Sequence, residues 1–182
     1  MALIYTTSHG DDAARFFRPL VELYEHVYSE PPYEEGPAQV ARFRDSLPGE
    51  AGRLGFRLVT ATEDSSLVGG AYGWTMLPFD WWSRADGEPP AEVREASKFA
   101  VMEWIVHPGR RGKGIGAELM RRLLARQPAR YATLASDPRS HARKVYARNG
   151  WWQAGTSRMP WEGGPVMDLL VLDLLDEAVQ GV

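Results

Sequence analysis

The sequence predicts one mixed domain of the α+β class over residues 1–182, and three observations carry that prediction. β-rich runs and helical periodicities are interspersed along the chain, with no repeat and no linker between them. The second half reads strand–helix–strand–helix–strand. One run, KFAVMEWIV at 98–106, is apolar on both faces, as a central strand must be. A length of 182 residues fits a single domain. With 44% hydrophobic and 25% charged residues, the chain can bury a core.

In chain order, Ile4–Thr7 forms a first strand, and Asp11 and Asp12 are placed to cap the helix that follows. Leu20, Leu23, Tyr24, Val27 and Tyr28 recur at helical spacing and make one apolar face. Pro19 opens that helix or kinks a longer one. SEPPYEEGP is a loop by composition. A shorter helix around Val40 and Phe43 is expected to end before Pro48 and Gly49. FRLVTAT and LVGGAYGWTM, joined by EDSS, form a hairpin. Residues 77–95 hold Pro78, Gly87, Pro89 and Pro90 and read as a long loop, in which Phe79, Trp81 and Trp82 call for burial or a ligand. Past the central strand, Ile115, Leu119 and Leu123 repeat every four residues with Arg121, Arg122 and Arg126 off the stripe, an amphipathic helix. YATLAS is a short strand. Ala142, Val145, Tyr146 and Asn149 line one side of a second helix that Gly150 closes. WWQAGTS and VMDLLVLDL are the last strands.

Composition narrows the chemistry. With no cysteine, disulfide scaffolds, thiol nucleophiles and cysteine-ligated metals are excluded. No His/Asp/Glu cluster has metal-ligand spacing, so no metal is expected. The N-terminal stretch lacks the basic segment of a secretory signal, and no apolar run nears the ~20 residues that span a bilayer. A soluble cytoplasmic protein that does not act on membranes is the expectation. The net charge of −3 hides an asymmetry: residues 107–148 carry eleven basic and two acidic residues, the rest ten and twenty-two. One segment thus faces an anion (nucleic acid, lipid or a phosphorylated small molecule), or its arginines are solvated helix faces.

The sharpest local feature is VHPGRRGKGIGA at 106–117, which joins the central strand to a helix. Gly112, Gly114 and Gly116 let backbone N–H groups approach a ligand, and the helix N-terminus adds partial positive charge. Arg110, Arg111 and Lys113 add full charges. Together they favour a phosphate or pyrophosphate. A P-loop would need Ser or Thr after Lys113, where Gly114 stands. A dinucleotide fingerprint on Gly112, Gly114 and Ala117 lacks the direct strand-to-glycine junction, and Asp137 is a loose fit for its acid. A third pattern, Arg/Gln-x-x-Gly-x-Gly/Ala, is met by Arg111, Gly114 and Gly116.

That pattern resembles motif A of the GNAT superfamily of acetyl-coenzyme A-dependent N-acetyltransferases. Val145-Tyr146 through Gly150-Trp151 is similar to the family's Leu-Tyr-x-x-x-Gly-Phe. The resemblance covers about residues 98–174, and the two helices and hairpin before it match the family's layout. It implies a central, mostly antiparallel sheet, flanked by helices and splayed where the cofactor enters. It implies backbone pairing of the pantetheine arm by Trp104, Ile105 and Val106. It implies a pyrophosphate site at Arg111, Gly112, Lys113, Gly114, Ile115, Gly116 and Ala117. Where many relatives carry an Asn that touches the cofactor arm, this chain has Arg139, which serves the 3′-phosphate, the arm or neither.

The resemblance names Tyr146 as the acid for the leaving thiolate, a role its phenol suits because a thiol is the stronger acid; the alternative is a packed core tyrosine. Glu103 is the only acid in the central strand. It draws the proton from the acceptor amine or holds a cationic acceptor, or it is a buried ion pair with Lys98. His107 reads as structural. Phe79, Trp81 and Trp82 wall an acceptor or pack in the core, and Tyr28, Tyr33 and the acidic loop sit where the family builds its acceptor wall. The expected activity is N-acetylation, by direct transfer in a ternary complex with acetyl-coenzyme A, of a primary amine on a small molecule or peptide. The alternative is a non-catalytic acyl-coenzyme A-binding module. Nucleic-acid binding is not expected, since basic and aromatic residues do not interleave. A homodimer is compatible with the sequence.

Overall fold

A computed structural model describes residues 2–175. Its architecture is mixed α/β: a seven-stranded, mostly antiparallel open sheet with five helices, the strands ordered β1-β2-β3-β4-β5-β7-β6. The strands are β1 (Leu3–Ser8), β2 (Arg57–Glu63), β3 (Ser66–Met76), β4 (Lys98–Val106), β5 (Tyr131–Ser136), β6 (Trp152–Arg158) and β7 (Val166–Asp173). The helices are α1 (Phe17–Tyr28), α2 (Pro37–Ala51), α3 (Ala91–Arg94), α4 (Ile115–Leu124) and α5 (His141–Arg148). The doubly apolar β4 is the fourth of the seven, as expected. The described residues fall into two compact units, one of 2–74 with 102–125, the other of 75–101 with 126–175.

In the first unit, β1, β2 and β3 pair antiparallel in succession. The β2–β3 turn puts Asp64 and Ser65 at φ 49° and 66°, the twist a two-residue hairpin needs. α1 buries Leu20, Leu23, Tyr24 and Val27 against Phe43, Leu47, Phe56, Leu58 and Tyr72. Two adjacent glycines of β3 admit close contacts. A Cβ on Gly69 would lie 2.9 Å from Leu119 of α4, and one on Gly70 only 2.7 Å from Leu20 of α1. Successive strand residues face opposite sides, so the two helices pack on opposite faces of β3.

Three local expectations are corrected. Asp11 and Asp12 do not cap: they lie inside a 3-10 stretch, Gly10–Phe16, that precedes α1, with His9 at its cap position. Pro19 is the third residue of α1, where its missing N–H costs nothing. α2 does not stop before Pro48 but runs through it to Ala51. An internal proline costs about 3 kcal/mol. Burying Phe43 and Leu47 on this helix offsets that, at about 1.5–3 kcal/mol each.

In the second unit, β5 runs parallel to β4 over Lys98–Val101 and antiparallel to β7 along its whole length. β6 pairs with the other edge of β7 through a bulge at Gln153/Gly155. The long loop expected over 77–95 carries the single-turn α3 and a bridge from Ala85 to Ser157. Its aromatic residues divide. Trp81 packs with Val93, Tyr131 and Val171, and Trp82 donates its indole N–H to Thr133 Oγ1 at 3.0 Å, whereas Phe79 is exposed. Lys98 is fully buried, and its Nζ donates to the carbonyls of Val93, Arg94 and Ala96. It therefore braces α3 and the chain behind it, and the ion pair with Glu103 is not formed. Among the described residues no helix is long and apolar enough to cross a membrane.

Candidate active site

The glycine-rich connection folds as a short 3-10 turn, Pro108–Arg110, then Arg111–Gly114, then α4. Gly112 and Gly114 take φ 75° and 79°, left-handed values that glycine adopts without strain. Beyond both Cα atoms lies open space, with no heavy atom within 4 Å of where a Cβ would be. Gly114 is the N-cap residue of α4, and no side chain caps that end. The first backbone N–H groups of a helix have no intrahelical partner, so Ile115, Gly116 and Ala117 present theirs toward this end. An anion of phosphate size suits such a terminus.

Trp104 holds the turn in place. Its indole N–H donates to the Gly116 carbonyl at 2.9 Å, and its ring lies 3.0 Å from where a Gly116 Cβ would sit. Gly116 thus serves close packing, while Gly112 and Gly114 serve backbone conformation. The cations of the loop are partly engaged. Arg110 pairs with Glu63 at 2.6 Å and Arg111 with Glu30 at 3.5 Å, while Lys113 is exposed. At the start of the loop, His107 Nδ1 accepts the Gly109 N–H at 3.1 Å, and the His107 ring stacks on His26. His107 thus caps the Pro108–Arg110 turn.

Glu103, one residue before Trp104, is half-buried. Its Oε1 accepts the Tyr28 hydroxyl and, at 3.3 Å, the Trp104 N–H. Burial pushes its carboxyl up to about 7, the Tyr28 hydrogen bond pulls the other way, and the nearby Glu35 carboxylate adds to the rise. Tyr28 is held well above the ordinary phenol value by burial and by Glu103 itself, so it stays a donor. A second tyrosine–carboxylate pair stands beside this one: the Tyr24 hydroxyl donates to Glu35 Oε2 at 2.5 Å. The Tyr24 and Tyr28 rings are 4.4 Å apart, and Tyr33 meets Tyr28 edge-on at 4.7 Å. Burial and the charge of Glu103 also raise the Tyr72 phenol.

Glu35 and Tyr24 were not among the residues singled out from the sequence. Tyr24 shares the apolar helix face with Tyr28 at i,i+4, and that spacing by itself marks core packing. Glu35 belongs to the acidic loop set at the acceptor wall, but nothing local distinguishes it from Glu30 and Glu34 of the same loop.

Trp104, Ile105, Val106, Glu103 and residues 111–117 fall in the first unit, and Tyr146 in the second. Tyr146 is buried on α5, edge-on to Trp151 with ring centroids 5.6 Å apart. α5 begins at Ser140, whose hydroxyl accepts the Arg143 N–H, and ends where Gly150 turns at φ 83°. Arg139 is held by Asp137, with Nη2 to Oδ2 at 2.6 Å and Nε to Oδ1 at 3.0 Å. That pairing keeps the Asp137 carboxyl below its ordinary value. Asp137 therefore organises its own turn. Among the described residues, no three His, Asp or Glu side chains group as a metal site.

The family model described as the acetyltransferase (GNAT) family matches residues 20–151. Among curated proteins no relative matches. Solved structures share the fold at low identity. The PaiA N-acetyltransferase of Thermoplasma acidophilum, in complex with coenzyme A, is 13% identical with a TM-score of 0.65, over 95% of this chain and 99% of that one. The ribosomal-protein-S18-alanine N-acetyltransferase of Escherichia coli is 13% identical with a TM-score of 0.62, over 94% of each chain. An aminoglycoside 6′-acetyltransferase of type Ii is 17% identical with a TM-score of 0.59, over 93% and 97%.

Proposed function

The chain belongs to the GNAT acetyltransferase family, and from that premise we propose that it transfers an acetyl group from acetyl-coenzyme A to a primary amine of a small molecule or peptide. Membership supports acyl transfer in general. The observation that carries the finer reading is the uncapped N-terminus of α4, opened by two left-handed glycines just past a strand that bears one high-pKa carboxylate. Backbone N–H groups of residues 112–117 would take the pyrophosphate, with Arg111 and Lys113 supplying charge. The backbone of Trp104, Ile105 and Val106, past the last β4–β5 pair at Val101, would take the pantetheine amides.

With both substrates bound, the neutral amine nitrogen attacks the thioester carbonyl carbon. The tetrahedral intermediate collapses, the C–S bond breaks and the amide forms. The proton lost by the amine goes to Glu103, directly or through water. The departing thiolate takes one from Tyr146. A carboxyl near 7 is well matched to proton transfer at neutral pH, because both of its forms are populated there. No acyl-enzyme through a thiol is available, since the chain has no cysteine.

The test is calorimetric titration of acetyl-coenzyme A into the wild type and into Gly114→Asp. The reading expects saturable one-to-one binding that the substitution weakens by at least about tenfold while the far-UV spectrum stays native. Equal affinity in a folded Gly114→Asp protein contradicts the site.

A further inference from the structure

We propose that His107 is a positioning residue for the cosubstrate: its neutral imidazole holds the start of the pyrophosphate loop, and a proton on Nδ1 releases it, so coenzyme A binds more weakly in acid. This rests on the reading of residues 111–117 as the pyrophosphate site. The His107 backbone N–H is tied to the Val68 carbonyl at 2.9 Å, which anchors the residue to β3. Its ring turns forward and accepts the Gly109 N–H on Nδ1 at 3.1 Å, capping the Pro108–Arg110 turn. The Arg110 N–H returns to the His107 carbonyl at 2.8 Å, and the Arg111 N–H to Pro108 at 3.3 Å. The chain from 107 to 111 is thus wound on one imidazole, and it sets where Arg111 and Gly112 begin.

A nitrogen that accepts an N–H bond must carry its lone pair, so the neutral ring keeps its proton on Nε2. Protonation of Nδ1 puts a donor against a donor and breaks the cap. The surroundings oppose the cation as well. His26 of α1 stacks on the ring at 4.7 Å and 16°, and Arg110 and Arg111 follow in the loop, while Glu30 just past α1, and Glu63 of β2 through its pair with Arg110, have the opposite sign. Glu30 is already paired with Arg111 at 3.5 Å. Burial and these cations hold the His107 imidazole below its ordinary value. Charge attraction alone has the opposite sign, since an imidazolium beside a pyrophosphate would strengthen binding. The two effects therefore separate by experiment.

Asn at position 107 keeps an acceptor for the Gly109 N–H in a short side chain and does not titrate in this range. Coenzyme A is titrated at about pH 5.5 and about pH 7.5 into the wild type, His107→Asn and His107→Ala. The Gly109 amide shift is followed by NMR in the ligand-free proteins. The wild type should lose about threefold in affinity between the two pH values beyond the change seen in His107→Asn, because an imidazole held below its ordinary value is only partly protonated at the lower pH. His107→Asn should match the wild type at about pH 7.5, and His107→Ala should be weak at both. The Gly109 amide should titrate with the imidazole in the wild type and stay fixed in His107→Asn. Equal pH dependence in wild type and His107→Asn, tighter binding by the wild type in acid, or a Gly109 amide that does not titrate overturns the proposal. If coenzyme A binds at neither pH, the reading of the loop fails, whereas the Gly109 titration still judges the cap.

Discussion

Glu103→Gln gives the site a thermodynamic signature that needs no substrate. The carboxyl titrates at 4.5 in its ordinary state and at about 7 in the folded chain, because burial disfavours its charge more than Tyr28 and the Trp104 N–H favour it. Between those values the folded state holds a proton that the unfolded state has released, so stability falls as pH rises. The contribution is fully present below 4.5 and is lost as pH passes 7. At 1.36 kcal/mol per unit, the loss comes to about 3 kcal/mol across that window. Glutamine keeps the shape and the Oε1 acceptor for Tyr28 but carries no titrating proton. The stability of Glu103→Gln minus that of the wild type should therefore grow by about 3 kcal/mol from pH 4 to pH 8. Urea unfolding followed by tryptophan fluorescence at several pH values reads it. Taking the difference cancels groups not coupled to Glu103, Glu50 among them, whose carboxyl burial also raises. Parallel stability curves would show that Glu103 is not held up by burial, and its suitability as a base at neutral pH would fall with that result.

Other perturbations address the remaining parts. Tyr28→Phe removes the hydrogen bond that lowers the Glu103 pKa, so the acid limb of kcat/KM should move above about 7; an unmoved limb means the rate does not report on Glu103. Tyr146→Phe keeps the ring edge-on to Trp151 and removes the phenol, and should lower kcat by about 100-fold or more with acetyl-coenzyme A affinity unchanged. Unaltered turnover with chemistry rate-limiting would assign the proton to water. Gly114→Asp must hold φ near 79°, which costs about 1 kcal/mol of stability, and should lower coenzyme A affinity by at least about tenfold; denaturant melts and calorimetry on one sample separate the two effects.

What was legible in the sequence follows from range. Strand and helix order depends on periodicities within ten residues or so, and every strand, and the helices α4 and α5, stand where those periodicities put them. The glycine loop was legible for the same reason, since three glycines between a strand and a helix speak of local backbone. Long-range pairs were not. Tyr28 and Glu103 are seventy-five residues apart, and nothing near Tyr28 distinguishes a donor to a carboxylate from a core ring. Arg110 and Glu63 meet across forty-seven residues, so the charge counted for the loop is partly neutralised. Lys98 finds three carbonyls rather than an acid, because a turn of α3 folds back within five residues of it. α2 crosses Pro48 because burial of its apolar face outweighs a local rule.

The central claim is acyl transfer from a coenzyme A thioester to an amine, and the product reads it most directly. The chain has no cysteine, so any free thiol released from acetyl-coenzyme A belongs to the coenzyme. The measurement is thiol release against a panel of primary amines, with mass spectrometry of each amine in the same tube. The account predicts that at least one amine gains an acetyl group in one-to-one proportion to the thiol released, and that Glu103→Gln and Tyr146→Phe slow both together. Tight binding of acetyl-coenzyme A with no acetylated amine and no thiol above spontaneous hydrolysis would contradict it, and the chain would then be a module that binds the thioester without turning it over.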